Sequence, residues 1–281
     1  MLDLQNVSEK VMHDSDIVEK FYNRQVEHEW ARAERHPVEF EITKRLLLRH
    51  LPKPPAKILD LGGGPGHYSF WLTELGFSVT LFDLSEENIK FAREKDTHNN
   101  EHIDTFVVGN ALDLNDIKEN EYDAVLIMGP LYHLTDKADR KRVVDNALRV
   151  LKPDGIVASS FISAYAPIID ILKKYPDKAV GNISTLLGYF NNGTNVVGDD
   201  GFTAAYFSRI EEVVELMSSF PIKKLGCYIV ESILGPYEEV LKKYPKEVIF
   251  ECITLAMEFV EDTHCIGCGE HLLYVAQNRK C

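Results

Sequence analysis

Ile58-Leu59-Asp60-Leu61-Gly62-Gly63-Gly64-Pro65-Gly66-His67-Tyr68 is the stretch on which the fold turns. An apolar run reaches an acid, passes four glycines within five residues, and opens a helix. Twenty-three residues after Asp60, a second apolar run, Val79-Thr80-Leu81-Phe82, ends at Asp83. In a parallel sheet this layout holds a nucleoside-bearing ligand at the carboxyl edge of the strands. The glycines allow a tight turn and a close approach to the ligand, because no Cβ stands in the way. An acid at the tip of the second strand is placed to accept hydrogen bonds from both ribose hydroxyls.

The spacing narrows the choice of ligand. The nicotinamide fingerprint is Gly-x-Gly-x-x-Gly, with a pyrophosphate resting on the helix N-terminus. Here the glycines run Gly62-x-Gly64-x-Gly66, and His67 follows. Asp60 sits two residues before the first of them, a fixed negative charge that suits an ammonium group better than a pyrophosphate. A ribose, an adenine and an amino-acid tail together describe S-adenosylmethionine. At this point the chain resembles the class I S-adenosylmethionine-dependent methyltransferases, whose first motif is Asp-x-Gly-x-Gly-x-Gly. The resemblance covers roughly residues 40 to 162 well and the rest more loosely. It implies a Rossmann-like α/β fold: a mostly parallel seven-stranded sheet, an antiparallel last strand closing a hairpin, and a helical cap.

The pattern along the chain agrees. Residues 1–50 read as a helical cap, with helical apolar spacing in Ile17 to Tyr22 and in Phe40 to Leu48, stopped by Pro52, Pro54 and Pro55. Strands are expected at Lys57 to Leu61, Ser78 to Phe82, Ile103 to Val108, Tyr122 to Met128 and Gly155 to Phe161. Helices between them include His67 to Leu75, closed by Gly76, one capped by Ser85, and Asp136 to Leu151. This alternation is that of a parallel sheet with crossover helices. Residues 163–205 read as an inserted cap segment folding over the carboxyl edge, then a helix from Arg209 to Phe220 and a strand from Lys224 to Glu231 follow. A helical region at 237 to 262 and a final strand, Leu272 to Ala276, complete one methyltransferase domain over 1–281.

Composition bounds the partners. The chain has 281 residues, 45% hydrophobic and 27% charged, as an ordinary globular protein does. Its net charge of -13 gives no reason to expect nucleic acid, whose binding needs Lys and Arg against phosphates. The basic run Lys137 to Arg142 reads as a solvated helix face. Met1-Leu2-Asp3-Leu4-Gln5-Asn6 has no basic and apolar signal pattern, and no run approaches the ~18 apolar residues of a membrane span. Five irregularly spaced cysteines fit a reduced, cytoplasmic setting. Oligomeric state is not legible.

Site residues follow from these frames. Asp60, Gly62, Gly63, Gly64 and Gly66 form the cofactor loop; Asp83, with Leu84 beside it, takes the ribose. By resemblance to the family's Gly-Asp-Ala segment, Asn110 and the Ala111 backbone border the adenine, Asn standing where the family often has Asp. Strand four ends at Met128-Gly129-Pro130-Leu131-Tyr132-His133, the position that faces the methyl group in the family. This is neither the Asn/Asp-Pro-Pro-Tyr of nucleic-acid and protein amide methyltransferases nor the acid of metal-dependent catechol-type enzymes. It looks like a bacterial small-molecule group. Met128 then borders the cofactor, and Tyr132 and His133 are the catalytic candidates, His133 as a base near neutrality. The resemblance also makes Tyr22 a contact to the methionine end, with Trp30 and Arg32 closing the pocket. His264-Cys265-Ile266-Gly267-Cys268-Gly269-Glu270-His271 has zinc-like spacing, but four ligands from one eight-residue turn are cramped, and no metal is expected. The expected activity is in-line methyl transfer from S-adenosylmethionine to a small-molecule acceptor. Its walls would be Tyr132 and His133 on one side, and the N-terminal helices and Ile168, Leu172, Leu186, Leu187 and Phe190 of the insertion on the other. An acceptor on RNA or protein, and a catalytically silent cofactor-binding module, are the alternatives. An exposed basic groove would favour RNA.

Overall fold

The computed structural model describes residues 13–98, 102–195 and 203–279. The reading of Met1 to Asn6 lies outside them, as do residues 1–12 of the N-terminal cap and 196–202 of the insertion. Four helices come first: α1 (Asp14–Tyr22), α2 (Val26–Trp30), α3 (Arg32–Arg35) and α4 (Pro37–His50). The alternating part follows as β1 (Lys57–Leu61), α5 (His67–Glu74), β2 (Ser78–Asp83), α6 (Glu86–Asp96), β3 (Thr105–Val108), β4 (Tyr122–Ile127), α7 (Pro130–His133), α8 (Lys137–Val150) and β5 (Leu151–Ser163). Then come α9 (Ala166–Lys174), α10 (Ile183–Asn192), β6 (Thr194–Asn195), β7 (Ala205–Ser208), α11 (Ile210–Ser218), β8 (Ile222–Ile229), α12 (Glu238–Leu241), α13 (Lys246–Ala256) and β9 (His271–Asn278).

The main sheet runs β3-β2-β1-β4-β5-β9-β8. β1 to β5 are parallel, and β9 lies antiparallel between β5 and β8, the hairpin ending that the sequence resemblance implies. Two short strands extend this set: β7 pairs with the end of β5, and β6 with β7. β5 begins at Leu151, earlier than the expected Gly155, because the chain bulges opposite Tyr122 and Ala124, with Asp154 at a φ of 60°.

β4 shows why the sheet is central. Val125 and Ile127 pack into the core on one face, and Ala124 and Leu126 into the core on the other. All four are fully buried, as expected for a strand covered on both sides. Burying each Val, Leu or Ile stabilises by about 1.5–3 kcal/mol. Ser85 caps α6 through the Asn88 amide at 3.1 Å, as its sequence position predicts.

The register places the site. Leu61 lies opposite Phe82 on one side and Ile127 on the other. The next residues, Gly62, Asp83 and Met128, therefore leave three strands at one level. On the far side of β5, Ile162 lies opposite His271, so the antiparallel β9 starts where the parallel strands end.

Candidate functional site

A cavity of about 1530 Å³, mouth included, opens at this carboxyl edge. Gly62, Gly63, Gly64, Asp83, Leu84, Asn110, Ala111, Met128, Tyr132, His133 and Tyr22 all line it, as the sequence reading expects. α1 crosses the cavity, contributing Ser15, Val18, Glu19 and Tyr22.

The loop geometry explains the glycines. Gly62 has a φ of +77°, and a Cβ there would meet Pro130 Cδ at 2.4 Å. The turn after β4 thus packs directly on the loop after β1. Gly66, at a φ of 94°, is the N-cap of α5. It does not line the cavity, so its part is to turn the chain into the helix.

Asp60 corrects an expectation. It is fully buried and absent from the cavity wall. Its Oδ2 accepts from Ser69 Oγ at 2.7 Å, and a Cβ on Gly63 would collide with the carboxylate. Asp60 therefore braces the loop against α5 and does not reach the cavity. Burial pushes its carboxyl up to about 7, the Ser69 bond working against that. Its Oδ1 has no partner among the described residues.

Asp83 knits the site together. Its Oδ2 accepts from the Gly64 amide at 2.8 Å, and its Oδ1 from the Ser85 amide at 2.9 Å and Asn88 Nδ2 at 3.1 Å. Burial raises its pKa, and those three donors oppose the rise. Three of the carboxylate's roughly four acceptor sites are thus taken, and the remaining capacity lies on Oδ2. Asn110 Oδ1 accepts from the Leu112 amide at 2.9 Å, which fixes its side chain at the cavity edge.

His133 is buried, with both ring nitrogens engaged. Nδ1 lies 2.9 Å from the Ala204 carbonyl and Nε2 2.7 Å from Tyr22 Oη. A carbonyl can only accept, so Nδ1 carries the proton and Nε2 accepts from Tyr22. Burial depresses the imidazole to about 4, so the ring is neutral near pH 7. His133 thereby ties α1 to α7 and to the strand approach of β7. Tyr132 Oη donates to the Met128 carbonyl at 2.7 Å, fixing its ring against the cavity.

The described part of the insertion does not form the far wall. Among the described residues, none between 163 and 205 lines the cavity. Leu172 and Leu187 face outward, 57% and 49% exposed, while Phe190 and Tyr132 both pack against the buried cluster of Ile162, Ala164, Ala166, Ala205 and Phe207. The far wall is instead polar and comes from α3, α4, β5 and β9, with Arg32, His36, Glu39, Ser160 and His271. Arg32 Nη2 donates to Glu39 Oε2 at 2.9 Å and lies 3.2 Å from His271 Nε2. His271 Nδ1 lies 2.5 Å from Glu231 Oε1, whose Oε2 accepts the Glu270 and His271 amides. Burial opposes charge on both Glu39 and His271. The Arg32 guanidinium nonetheless holds Glu39 down at about 2, and Glu39 and Glu231 hold His271 up at about 9. Of these wall residues the sequence reading reached Arg32 alone. The others have a signal in the topology: an antiparallel strand beside β5 must start at the carboxyl edge, which puts His271 there. Trp30, expected at the pocket, instead stacks on His67 at 4.3 Å and accepts from its Nε2 through the backbone, outside the cavity wall.

Cys265 and Cys268 are free thiols. The histidines flanking them turn to carboxylates, His264 to Asp262 and His271 to Glu231. The groups that do converge are Glu39, Glu231 and His271, with ligand atoms within 4.8 Å of one another. Arg32 and the His271–Glu231 bond already occupy those atoms, so the donor set is an ion-pair network and not an open metal cradle.

Residues 59–159 match the family model described as Methyltransferase domain. The chain is 28% identical over 234 residues to "Putative methyltransferase YqeM" of Bacillus subtilis (strain 168), covering 80% of this chain and 85% of that one. It is 26% identical over 214 residues to glycine/sarcosine N-methyltransferase of Aphanothece halophytica, covering 74% and 71%. In fold it is similar to the crystal structure of Burkholderia thailandensis 1,6-didemethyltoxoflavin-N1-methyltransferase with bound 1,6-didemethyltoxoflavin and S-adenosylhomocysteine. That match has a TM-score of 0.62 at 15% identity, over 100% of this chain and 98% of that one. No helix among the described residues is long and apolar enough to cross a membrane. The matched domain takes in the glycine loop, Asp83 and the turn after β4 alike, and the chain carries an S-adenosylmethionine-dependent methyltransferase domain over residues 59–159.

Proposed function

We propose that the enzyme methylates a small molecule enclosed between the glycine loop, α1 and the polar wall of α3, α4 and β9. The observation that carries this reading is that one cavity is lined both by Gly62 and Asp83 and by Glu39 and His271. The net charge of -13 and the acids along this wall make a poor surface for a polyanion. The printed activity of the Aphanothece halophytica relative, glycine/sarcosine N-methyltransferase, is in keeping with the reading.

In this reading Asp83 takes the ribose hydroxyls, Asn110 and Ala111 border the adenine, and Gly62 to Gly64 let the backbone approach the amino-acid tail. Asp60 acts one layer behind, by holding the loop. Bound S-adenosylmethionine supplies a sulfonium, which is already an activated methyl donor. The protein's main task is then to align the acceptor and exclude water, and orientation alone can supply about 7–11 kcal/mol of the barrier. Tyr132 and Tyr22 shape the cavity near the transfer point. His133 serves as the fastener of Tyr22 and not as a free base, since its lone pair is occupied. Residues 13–50 and the described residues of the segment 163–205 are proposed as two caps with different work: the first roofs the cavity, the second buttresses Tyr132 from outside.

The test is methyl transfer from isotope-labelled S-adenosylmethionine in an extract separated into small molecules, RNA and protein. Label appearing in the small-molecule fraction supports the reading. Label confined to RNA or protein refutes it, and no label anywhere despite cofactor binding indicates the silent module.

A further inference from the structure

We infer that Asn23 is a positioning residue: through Ser85 it latches α1, as a lid, to the acid that meets the ribose, so that cofactor binding and closure of the helix favour one another. This rests on the placing of the ribose at Asp83 and concerns how that site opens and shuts.

The first ground is how α1 is held. At its start Asp14 Oδ2 accepts from the amide and the hydroxyl of Thr135, both at 2.7 Å, in the turn between α7 and α8. At its end Tyr22 Oη donates to His133 Nε2 at 2.7 Å, and Asn23 Oδ1 accepts from Ser85 Oγ at 2.6 Å. Between these ties Val18 is the one buried residue of the helix, and it belongs to none of the four buried apolar clusters. The N-cap, His13, makes no capping bond through its side chain. A helix of nine residues is not stable alone in water, so its ties decide whether it stays in place. Each such bond competes with bonds to water and is weak in net terms. A segment held in this way opens at far less cost than the whole fold.

The second ground is where the last tie lands. Ser85 is 1% exposed and serves three partners. Its amide donates to Asp83 Oδ1 at 2.9 Å, its hydroxyl accepts from the Asn88 amide at 3.1 Å, and the hydroxyl proton goes to Asn23. Asn88 Nδ2 returns to Asp83 Oδ1 at 3.1 Å. The ribose acid and the end of the helix therefore share one buried residue. A ligand that fixes Asp83 fixes Ser85, and with it the donor that Asn23 needs. The coupling is reciprocal: the factor by which cofactor favours the closed helix is the factor by which closure tightens cofactor.

The position gives closure a purpose. Ser15, Val18, Glu19 and Tyr22 of α1 line the same cavity as Gly62 and Asp83, so a closed helix keeps water from the transfer point. Asn23 itself is absent from the cavity wall, so it acts on the ligand only through Ser85.

The test follows S-adenosylhomocysteine by stopped flow on the full chain, wild type against Asn23→Ala. Dissociation is expected to quicken by about three- to tenfold, with association unchanged or faster and the unfolding temperature little altered. Asp14→Ala, at the other end of the helix, is expected to act in the same direction. Hydrogen exchange supplies a readout on the wild type alone. S-adenosylhomocysteine at saturation is expected to slow exchange across Asp14–Tyr22 by at least about tenfold, and exchange across Lys246–Ala256 far less, with the difference reduced in Asn23→Ala. Dissociation at the wild-type rate in Asn23→Ala overturns the inference, as does slower association, or exchange in α1 that is indifferent to bound S-adenosylhomocysteine. Failure of the wild type to bind S-adenosylhomocysteine refutes instead the cofactor site on which the inference rests.

Discussion

Replacing Asp83 by Asn isolates one carboxylate oxygen. In the wild type Oδ1 accepts from Ser85 N and Asn88 Nδ2, and Oδ2 from Gly64 N, at 2.8 to 3.1 Å. An amide can keep its oxygen on the two donors at Ser85 and Asn88. Its NH₂ then faces the Gly64 amide and the ribose, donor against donor. The loss is one charge-assisted bond to the loop together with the acceptor for a ribose hydroxyl. At roughly 1.5–3 kcal/mol per bond to a charged group, affinity for S-adenosylhomocysteine should fall between about 10- and 150-fold. Calorimetric titration gives the affinity, and thermal unfolding of the same sample shows whether the fold survives. A 2′-deoxyribose analogue separates the two effects. Its penalty relative to S-adenosylhomocysteine should be large on wild type and nearly absent on Asp83→Asn. Unchanged affinity in a folded Asp83→Asn protein, or an equal 2′-deoxy penalty on both proteins, refutes the assignment of Asp83 to the ribose.

Gly62→Ala should abolish measurable cofactor binding, because the added Cβ meets Pro130 Cδ at 2.4 Å and the φ of +77° disfavours any side chain; a variant that binds S-adenosylhomocysteine normally contradicts the loop argument. His271 gives a pH signature. Its folded pKa of about 9 lies above the usual 6.5, so its contribution to stability is complete below pH 6.5 and lost as pH rises through 9. Unfolding free energy should decline over that window, and less so in His271→Gln. His133 has the opposite sign: held at about 4, it should cost stability as pH falls from 6.5 toward 4, and His133→Gln should flatten that limb of the profile.

Much of the fold is legible in the chain because its signals are local. The apolar run and glycines at 58–66 fix β1, its loop and the start of α5, and the run ending at Asp83 fixes β2. β4 reads as a doubly covered strand from Tyr122 to Met128 without any long-range information, one residue past its observed end at Ile127. Asp60 is harder, since its distance from Gly62 says nothing about which side of the loop its carboxylate faces. That is decided by Ser69, in the first turn of α5. The far wall is less legible still. Glu39, Glu231 and His271 are separated by up to 232 residues and meet only because β9 starts beside the end of β5. Likewise, the insertion has helical apolar spacing, but spacing cannot say whether that face meets the cavity or solvent, and Leu172 and Leu187 turned out to face solvent.

A crystal structure of the complex with S-adenosylhomocysteine tests the central claim most directly. The account predicts both ribose hydroxyls on the Asp83 carboxylate, the adenine beside Asn110 and Ala111, and the sulfur facing the space between Tyr132 and the Glu39–His271 wall. A nucleoside held away from Asp83, or a sulfur turned out of the cavity toward solvent, would contradict it.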